Sequence, residues 1–400
     1  MVAVYLHIPF CRTRCPYCDF VSEAVSGEPP EIYLNALLRE ISEYPALSRK
    51  RMWGLQSDQS PDAAHACSSA RCARSPDRAA ATTEGPQFPY RRDAEPGTLK
   101  SEQDTCCGSD GVVMGADGVR SVFFGGGTPS LLSPRALVRV LDVLRDRFHL
   151  TSDAEITLEA NPDDVTADLA DAWRDVGINR VSLGVQHFDD RVLRYLGRRH
   201  NADTARRACA IIAGRFTNWN MDLIFGAPLP AAWEHTLAVC AAIAPPHVAT
   251  YGLTYEPGTP FERRADDAVG EETWLALYRR AEAALVGYDH YEISNYARSG
   301  FQCAHNLVYW RNEEYVGFGT GAYSFLNGIR ARNHCVTAKY LANPGEKEEW
   351  LPLSEREIRV ETLIQHFRLR AGLSKTYYRR RFGGDVREDF GPQCDALIRR

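Results

Sequence analysis

Strand and helix patterns alternate along most of this 400-residue chain, and this alternation constrains the fold more than any other feature. Short apolar runs typical of buried strands begin near Tyr5, Ser121, Glu155, Arg180, Met221 and Val248. Each is followed by a segment with helical periodicity; in 31–44, for example, Leu34, Leu37 and Ile41 share one face. Six such βα units predict a parallel sheet with helical crossovers. Periodicity leaves open whether the sheet is doubly wound or closes into a full or partial barrel.

Residues 47–117 interrupt this pattern between the first two units. Small, polar and charged residues dominate there, and such a stretch buries too little apolar surface to offset the entropy of ordering it. We therefore expect a mostly disordered insertion that separates two barrel segments, 1–46 and 118–290. Its cysteines, Cys67, Cys72, Cys106 and Cys107, match no ligand spacing, and a second metal site there is the alternative.

The C-terminal region, 291–400, begins with a stretch rich in Tyr, Asn, Gly and His and continues with charged segments of helical character. No closing element is evident before Arg400, which leaves open that this unit is incomplete.

Charge and hydropathy exclude several classes of protein. A formal net charge of -5 gives no support to binding nucleic acid, and no apolar run reaches the roughly 18 residues of a membrane span. These features exclude a membrane-spanning segment but not peripheral contact with a membrane. The first residues carry no basic stretch and no cleavage site, so we expect no signal peptide and a cytoplasmic location. In such a reducing compartment, clustered cysteines among the twelve indicate metal binding rather than disulfides.

The tightest cysteine cluster follows the first predicted strand. Cys11-Arg-Thr-Arg-Cys15-Pro-Tyr-Cys18 has the spacing C-x3-C-x2-C. Three thiolates suit a [4Fe-4S] cube with one iron left open, whereas a structural zinc site normally takes four ligands. Arg12 and Arg14 are expected to offset part of the cluster charge.

Other unusual residues also stand where predicted strands end. Gly125 to Thr128 follow the second strand, Glu159 the third and Gln186 the fourth, while Asp222 lies near the end of the fifth. Parallel α/β folds carry their chemistry at the carboxyl ends of the strands. The sequence therefore predicts one shared site at this edge of the sheet.

These motifs resemble the radical S-adenosylmethionine (SAM) family. Within it, Tyr5-x-His7-Ile8-Pro9-Phe10-Cys11 is similar to one branch, formed by the oxygen-independent coproporphyrinogen III oxidases and the related HemW heme chaperones. The resemblance implies a partial (β/α) barrel with an α-rich C-terminal region. It also implies that Cys11, Cys15 and Cys18 bind the cluster, whose open iron binds the amino and carboxylate groups of SAM.

The resemblance assigns further SAM contacts. It implies that Gly126, Gly127 and Thr128 hold the SAM amino group, that Glu159 accepts hydrogen bonds from the ribose, and that Arg198 pairs with the carboxylate. From the residues alone, Glu159 could equally be a solvated carboxylate and Arg198 a surface arginine. The other positions that match the SAM site of the family are Tyr5, Tyr17, Gln186, Asp222 and Thr254.

Two features separate the chaperone from the oxidase. The oxidases resemble C-x3-C-x2-C-x-C, but this chain has Phe20 at the fourth position, and it lacks the N-terminal extension of the oxidases before the first strand. The segment Cys303-Ala-His305-Asn306-Leu-Val-Tyr309-Trp310 also resembles the chaperones. It makes His305 a candidate heme ligand, with a buried, hydrogen-bonded histidine as the alternative. His187 is a second candidate for a histidine beside heme or SAM, with an ordinary loop histidine as the alternative.

The sequence thus predicts a heme chaperone that carries a [4Fe-4S] cluster and SAM, binds heme and transfers it to an acceptor hemoprotein. The alternative is a radical SAM oxidoreductase of the coproporphyrinogen III oxidase type, which would need an electron donor, but coproporphyrinogen oxidase activity is not expected. A scaffold that has lost its cluster is a third reading.

Overall fold

The computed structural model describes residues 2–44 and 118–399. The predicted insertion, including its four cysteines, falls outside the described residues. The described parts of the chain belong to one compact unit. Among them, no helix is long and apolar enough to cross a membrane.

The strands in chain order are β1 (Val2–Ile8), β2 (Phe10–Cys11), β3 (Glu23–Ala24), β4 (Val119–Gly126), β5 (Leu150–Ala160), β6 (Arg180–Gln186), β7 (Asn218–Phe225), β8 (His247–Gly252), β9 (Asp289–Glu292), β10 (Asn295–Ala297), β11 (Tyr315–Phe318), β12 (Tyr323–Leu326), β13 (Ile329–Asn333) and β14 (Lys347–Pro352).

The α-helices are α1 (Glu31–Glu43), α2 (Pro134–Arg147), α3 (Ala167–Asp175), α4 (Asp190–Tyr195), α5 (Ala202–Ala213), α6 (Ala232–Ile243), α7 (Glu271–Ala284), α8 (Ala304–Trp310), α9 (Thr337–Ala342), α10 (Glu355–His366), α11 (Lys375–Phe382) and α12 (Val386–Ile398). Three short 3-10 helices cover Pro129–Leu131, Pro162–Asp164 and Pro260–Asp267.

Six parallel strands form the centre of the main sheet, in the order β1-β4-β5-β6-β7-β8. Beyond β1 the sheet continues through β11, which is parallel to β1, and then through the antiparallel strands β12, β13 and β14. Beyond β8 it continues through the antiparallel strands β10 and β9. All six predicted βα strands are therefore present and lie side by side.

The central sheet curves into a partial barrel. Side chains from all six central strands line one internal cavity, which is possible only if the strands wrap around it. Within the described residues, the two outer strands of the sheet, β14 and β9, do not pair with each other, so the sheet is open. Helix α8 and strand β10 contribute the remaining walls of the cavity. This confirms the predicted partial barrel.

Amphipathic helices cover the outer face of the sheet. Helix α2 shows how the sequence sets one of them: the Ser133 hydroxyl accepts a hydrogen bond from Ala136 N at 3.3 Å, and Pro134 occupies the first turn. Leu137, Leu141 and other apolar residues of α2 are fully buried. The cap and the apolar face together fix where this helix starts and which side faces the sheet.

The C-terminal region contributes both to the sheet and to a separate helical layer. Strand β11 pairs with β1 from Ala3↔Tyr315 to Leu6↔Phe318, so this region shares the sheet of the barrel. Helices α11 and α12 pack around their own small core of Tyr378, Phe382, Val386 and Phe390. The boundary near residue 290 stays a prediction.

Candidate cluster and nucleotide site

The cysteine loop is fixed at both ends by backbone hydrogen bonds. Strand β2 pairs with β3 in the register Phe10↔Glu23 and Cys11↔Ala24, and Val25 N donates to Cys11 O at 2.8 Å. Inside the loop, Cys18 N donates to Cys15 O at 3.1 Å. The loop therefore leaves and rejoins the barrel at adjacent points, which holds the three cysteines at its mouth.

The three thiols line one pocket at the barrel mouth, which we call the outer pocket. Burial raises the pKa of Cys18 to about 11 and raises that of Cys11 as well, so neutral thiols are favoured at these two positions. In the described parts of the chain, no three His, Cys, Asp or Glu side chains lie close enough to hold a single metal ion. A cube, whose thiolates bind separate irons, is the group that fits three cysteines of one loop.

Two arginines of the loop have structural partners. Arg12 Nε donates to Asp164 Oδ1 at 3.1 Å, and Arg14 Nη2 donates to Cys18 O at 3.3 Å. Arg12 therefore ties the loop to the 3-10 helix that follows β5, and Arg14 braces the turn that carries Cys18. Both arginines therefore stabilise the conformation of the cysteine loop. Their positive charges lie beside the loop, where the sequence predicts that they offset cluster charge.

The outer pocket has a volume of about 350 Å³ and brings together most of the predicted SAM residues. Those that line it, besides the three cysteines, are Tyr17, Gly126, Gly127, Thr128, Glu159, Gln186, Arg198, Asp222 and Thr254. Tyr17 belongs to the cysteine loop and Arg198 follows α4, while the others come from the ends of β4 to β8 and from the loops that follow these strands. Tyr5 and His305 lie elsewhere, in the cavity beneath.

Arg198 links the cysteine loop to the barrel. Its Nη1 lies 3.4 Å from Cys15 Sγ and 3.5 Å from the Tyr17 hydroxyl. Its Nη2 donates to Gly184 O at 3.1 Å and also to Asn161 Oδ1. A guanidinium held by partners on several sides is oriented, and a ligand carboxylate that pairs with it would replace the long Nη1 contacts.

The glycine turn after β4 packs directly against the cysteine loop. A Cβ at Gly127 would lie 2.7 Å from the backbone N and O of Phe10. Thr128 N donates to Phe10 O at 2.7 Å, and Gly126, at φ +110, donates its N–H to Glu159 Oε2 at 3.1 Å. Gly127 is required because backbone atoms of Phe10 and Ile8 occupy the space above it, whereas at Gly126 the imidazole of His7 and the positive φ both exclude a side chain.

Two carboxyl groups share the floor of the pocket. Burial, and then the neighbouring Asp222, raise the pKa of Glu159 to about 8. Burial raises the pKa of Asp222 to about 6, although Ser182 Oγ and Asn220 Nδ2 donate to it at 2.9 and 2.7 Å. Such a pair can accept hydrogen bonds from hydroxyl groups, and it favours a ligand that brings positive charge.

Gln186 ends β6 with φ +64, in the left-handed region that side chains other than glycine rarely adopt. Local strain of this kind is concentrated at functional sites, and here it lies on the wall of the outer pocket. Its neighbour His187 points elsewhere: it is buried, bonds to Thr236 Oγ1 at 2.9 Å and lines neither the outer pocket nor the cavity beneath.

The cavity beneath the outer pocket, which we call the inner cavity, has a volume of about 180 Å³. It shares the walls Glu159, Ser182, Asp222 and Tyr251 with the outer pocket. Its other lining residues are Tyr5, Phe123, Arg180, Asn220, His247, Asn295, His305, Asn306 and Tyr309. Tyr5 is held there by His7, whose Nδ1 lies 3.0 Å from the Tyr5 hydroxyl.

His305 is 1 % exposed on helix α8 and has partners on both ring nitrogens. Nδ1 lies 3.0 Å from Ser121 Oγ, and Nε2 lies 2.9 Å from the Tyr309 hydroxyl. Burial lowers its pKa to about 3, so the ring is neutral. Glu155 holds the start of α8, since it accepts hydrogen bonds from Ala304 N at 3.0 Å and His305 N at 3.1 Å.

Sequence reasoning missed several residues of these pockets, among them Asn161 and Arg180. Asn161 binds both Arg198 and Thr128, and it follows Glu159 in the same strand-end motif, which was the available signal. Arg180 is the first residue of β6 and lies 1 % exposed in the inner cavity. A charged residue at the start of an otherwise apolar strand was the only sign of it.

Comparison with known proteins finds a matching family and several similar proteins. A family model described as the Radical SAM superfamily matches residues 113–236. The heme chaperone HemW of Escherichia coli is 33% identical over 328 residues, which cover 80% of this chain and 69% of that protein. HemW of Synechocystis is 32% identical over 399 residues, which cover 93% of this chain and 79% of that protein.

One solved structure matches nearly the whole chain. The radical SAM enzyme coproporphyrinogen III oxidase (HemN) of Escherichia coli superposes with a TM-score of 0.70 at 19% identity. The match covers 99% of this chain and 82% of the oxidase. At this level of identity the likeness establishes the fold, a radical SAM fold, and nothing about the reaction.

Proposed function

Because this chain belongs to the HemW family of heme chaperones, we propose that it binds heme and transfers it to an acceptor hemoprotein. The observation that carries the proposal is sequence identity above 30% to several HemW proteins over most of both chains. Phe20, which replaces a fourth loop cysteine, supports the chaperone over the oxidase.

The proposal includes a [4Fe-4S] cluster bound by Cys11, Cys15 and Cys18. Support comes from the anchored loop, which keeps the three thiols on one wall of the outer pocket. When bound and reduced, such a cluster supplies an electron to the sulfonium of SAM. Turnover of that kind would require an electron donor, whereas a regulatory or assembly role would not.

SAM is the proposed occupant of the outer pocket. Arg198 would pair with its carboxylate, because the guanidinium is already oriented beside Cys15. The backbone of Gly126, Gly127 and Thr128 would hold the amino group, and Glu159 would accept hydrogen bonds from the ribose. Tyr17, Gln186, Asp222 and Thr254 form the remaining walls, while Tyr5 approaches from the inner side.

His305 is the proposed heme ligand. Binding of Nε2 to heme iron would require the Tyr309 hydroxyl to give up its 2.9 Å contact and helix α8 to move, because a cavity of about 180 Å³ is too small for a macrocycle. The neutral ring supports the proposal, since a protonated imidazole cannot ligate iron.

The proposed setting is the cytoplasm, where thiols stay reduced and a cluster can be loaded. A peripheral contact with a membrane would bring the chaperone near membrane-bound acceptors.

Heme transfer tests the function directly. Heme-loaded protein is mixed with an apo-b-type cytochrome, and the Soret spectrum is followed with time. We expect stable heme on the purified protein and its movement to the acceptor, with loss of stable binding in His305→Ala but not in the control His187→Ala. Absence of heme binding in the unaltered protein would refute the proposal.

The oxidase alternative has its own assay. The reconstituted protein is incubated anaerobically with coproporphyrinogen III, SAM and a reductant. We expect no vinyl-bearing product. Formation of that product together with 5'-deoxyadenosine would replace the chaperone assignment by the oxidoreductase.

A further inference from the structure

Asn161 lies between the two groups that would hold the amino-acid end of SAM. It follows directly after β5 and lines the outer pocket. Its side-chain Oδ1 accepts a hydrogen bond from Arg198 Nη2, and its Nδ2 donates to Thr128 Oγ1 at 3.1 Å. Because a guanidinium can only donate, Arg198 fixes which end of the amide faces it. The same side chain therefore connects both groups.

The backbone of Asn161 is anchored independently of any ligand. Asn161 precedes Pro162, which restricts it to extended conformations, and its φ of -93 and ψ of 146 lie in that region. Asp164 N donates to Asn161 O at 3.0 Å. The carboxylate of Asp164 in turn accepts hydrogen bonds from Arg12 Nε at 3.1 Å and from Ser130 Oγ at 3.0 Å. The amide therefore has a fixed position from which it can orient its two partners.

The contacts of Arg198 orient its guanidinium without neutralising it. In the described parts of the chain, no Asp or Glu oxygen lies within 4.0 Å of the Arg198 side-chain nitrogens. Its Nη2 is held by two neutral groups, Asn161 Oδ1 and Gly184 O, the second at 3.1 Å. Its Nη1 makes only the long contacts with Cys15 and Tyr17, at 3.4 and 3.5 Å. The protein thus fixes one edge of the guanidinium and leaves its charge and its other edge for a ligand anion.

We propose that Asn161 is a positioning residue for the amino-acid end of SAM: it aligns Arg198 with the carboxylate and Thr128 with the amino group. Thr128 N donates at 2.7 Å to the backbone O of the residue before Cys11. Arg198 Nη1 lies 3.4 Å from Cys15 Sγ, so one amide sets both groups relative to the cluster cysteines. An amide offers an acceptor and a donor at opposite ends, whereas a carboxylate offers only acceptors. The inference rests on the proposed binding of SAM in the outer pocket and is independent of heme.

Calorimetry with SAM and with decarboxylated SAM tests this role, because the second ligand lacks the carboxylate that Arg198 would bind. The full chain is used after anaerobic reconstitution of the cluster. Asn161→Asp keeps an acceptor for Arg198 but pairs a negative charge with it, so affinity for SAM should fall by about tenfold more than affinity for decarboxylated SAM. Asn161→Leu removes both contacts at similar volume and should produce the same selective loss.

Asn35→Leu is the matched control. Asn35 also accepts a hydrogen bond from an arginine, Arg139 Nη2 at 2.8 Å, but on an exposed face of α1. This variant should leave both affinities unchanged. Circular dichroism and iron content check that each variant folds and carries its cluster.

The outcomes separate the positioning role from the proposed SAM site. An equal loss for both ligands in Asn161→Asp, as a merely structural role would give, or no loss for either, overturns the positioning role. Should Asn161→Leu fail to fold, the comparison of the two ligands in Asn161→Asp decides. If the unaltered protein binds neither ligand, the proposed SAM site fails and the positioning role fails with it. If the unaltered protein binds SAM and the selective loss is absent, only the positioning role fails.

Discussion

Replacing Gly127 by alanine tests how the barrel holds the cysteine loop. The added Cβ would lie 2.7 Å from Phe10 N, 2.7 Å from Phe10 O and 2.8 Å from Ile8 O. Ordinary contacts begin at 3.4 Å, so the loop backbone must retreat by 0.7 Å. All three neighbours are backbone atoms of the segment that leads into Cys11, and none can rotate away.

The energetic consequence follows from this displacement. Overpacking of this kind costs about 1–3 kcal/mol. The retreat also stretches the bonds from Gly127 N to Ile8 O at 2.8 Å and from Thr128 N to Phe10 O at 2.7 Å, each with a net value of about 1 kcal/mol. We expect the free energy of unfolding to fall by about 2–4 kcal/mol and SAM affinity to fall as well.

Urea unfolding and titration with SAM measure the two effects. Gly287→Ala is the matched control, because a Cβ there meets nothing within 4 Å and its φ lies outside the left-handed region. The control should stay within about 1 kcal/mol of the unaltered protein and bind SAM equally. If Gly127→Ala matches the control in both measurements, the turn does not support the loop and the packing argument is wrong.

Three further predictions concern the site and a helix cap. Arg198→Lys keeps the charge but loses the fork, so calorimetry should show SAM affinity about tenfold lower; unchanged affinity would remove Arg198 from the site. Because burial raises the pKa of Glu159 from 4.5 to about 8, the folded apo protein retains a proton that the unfolded chain releases. Unfolding free energy of the unaltered protein should therefore fall relative to Glu159→Gln as pH rises from 5 to 8, and parallel pH profiles would contradict this. Ser354→Ala removes the capping box with Glu357 and should lower the free energy of unfolding in urea by about 1 kcal/mol. An unchanged free energy of unfolding would show that the cap does not stabilise the helix.

The sequence was most informative where periodicity was long and regular. The helical segment expected over 31–44 is the helix Glu31–Glu43. The strand expected near Tyr5 covers Val2–Ile8 and ends there, because Pro9 has no N–H to donate to the sheet. Strands β9 to β14 were not predicted, since three to six residues carry too little alternation to be recognised.

The outer pocket was predictable because its residues follow directly after strands that could be recognised. The inner cavity was not, because its polar side chains are spread over six strands, where Ser182 and Asn220 look like ordinary strand residues. Only the curvature of the sheet brings them together. Arg180 illustrates the limit: its burial and its orphaned nitrogens are properties of the folded barrel.

Iron and acid-labile sulfide analysis after anaerobic reconstitution tests the central claim most directly. The account predicts about four of each per chain, lost in Cys11→Ser and kept in Cys394→Ser, which changes a cysteine of α12 far along the chain. Iron content that is negligible in the unaltered protein, or equal in the two variants, would contradict a cluster held by Cys11, Cys15 and Cys18.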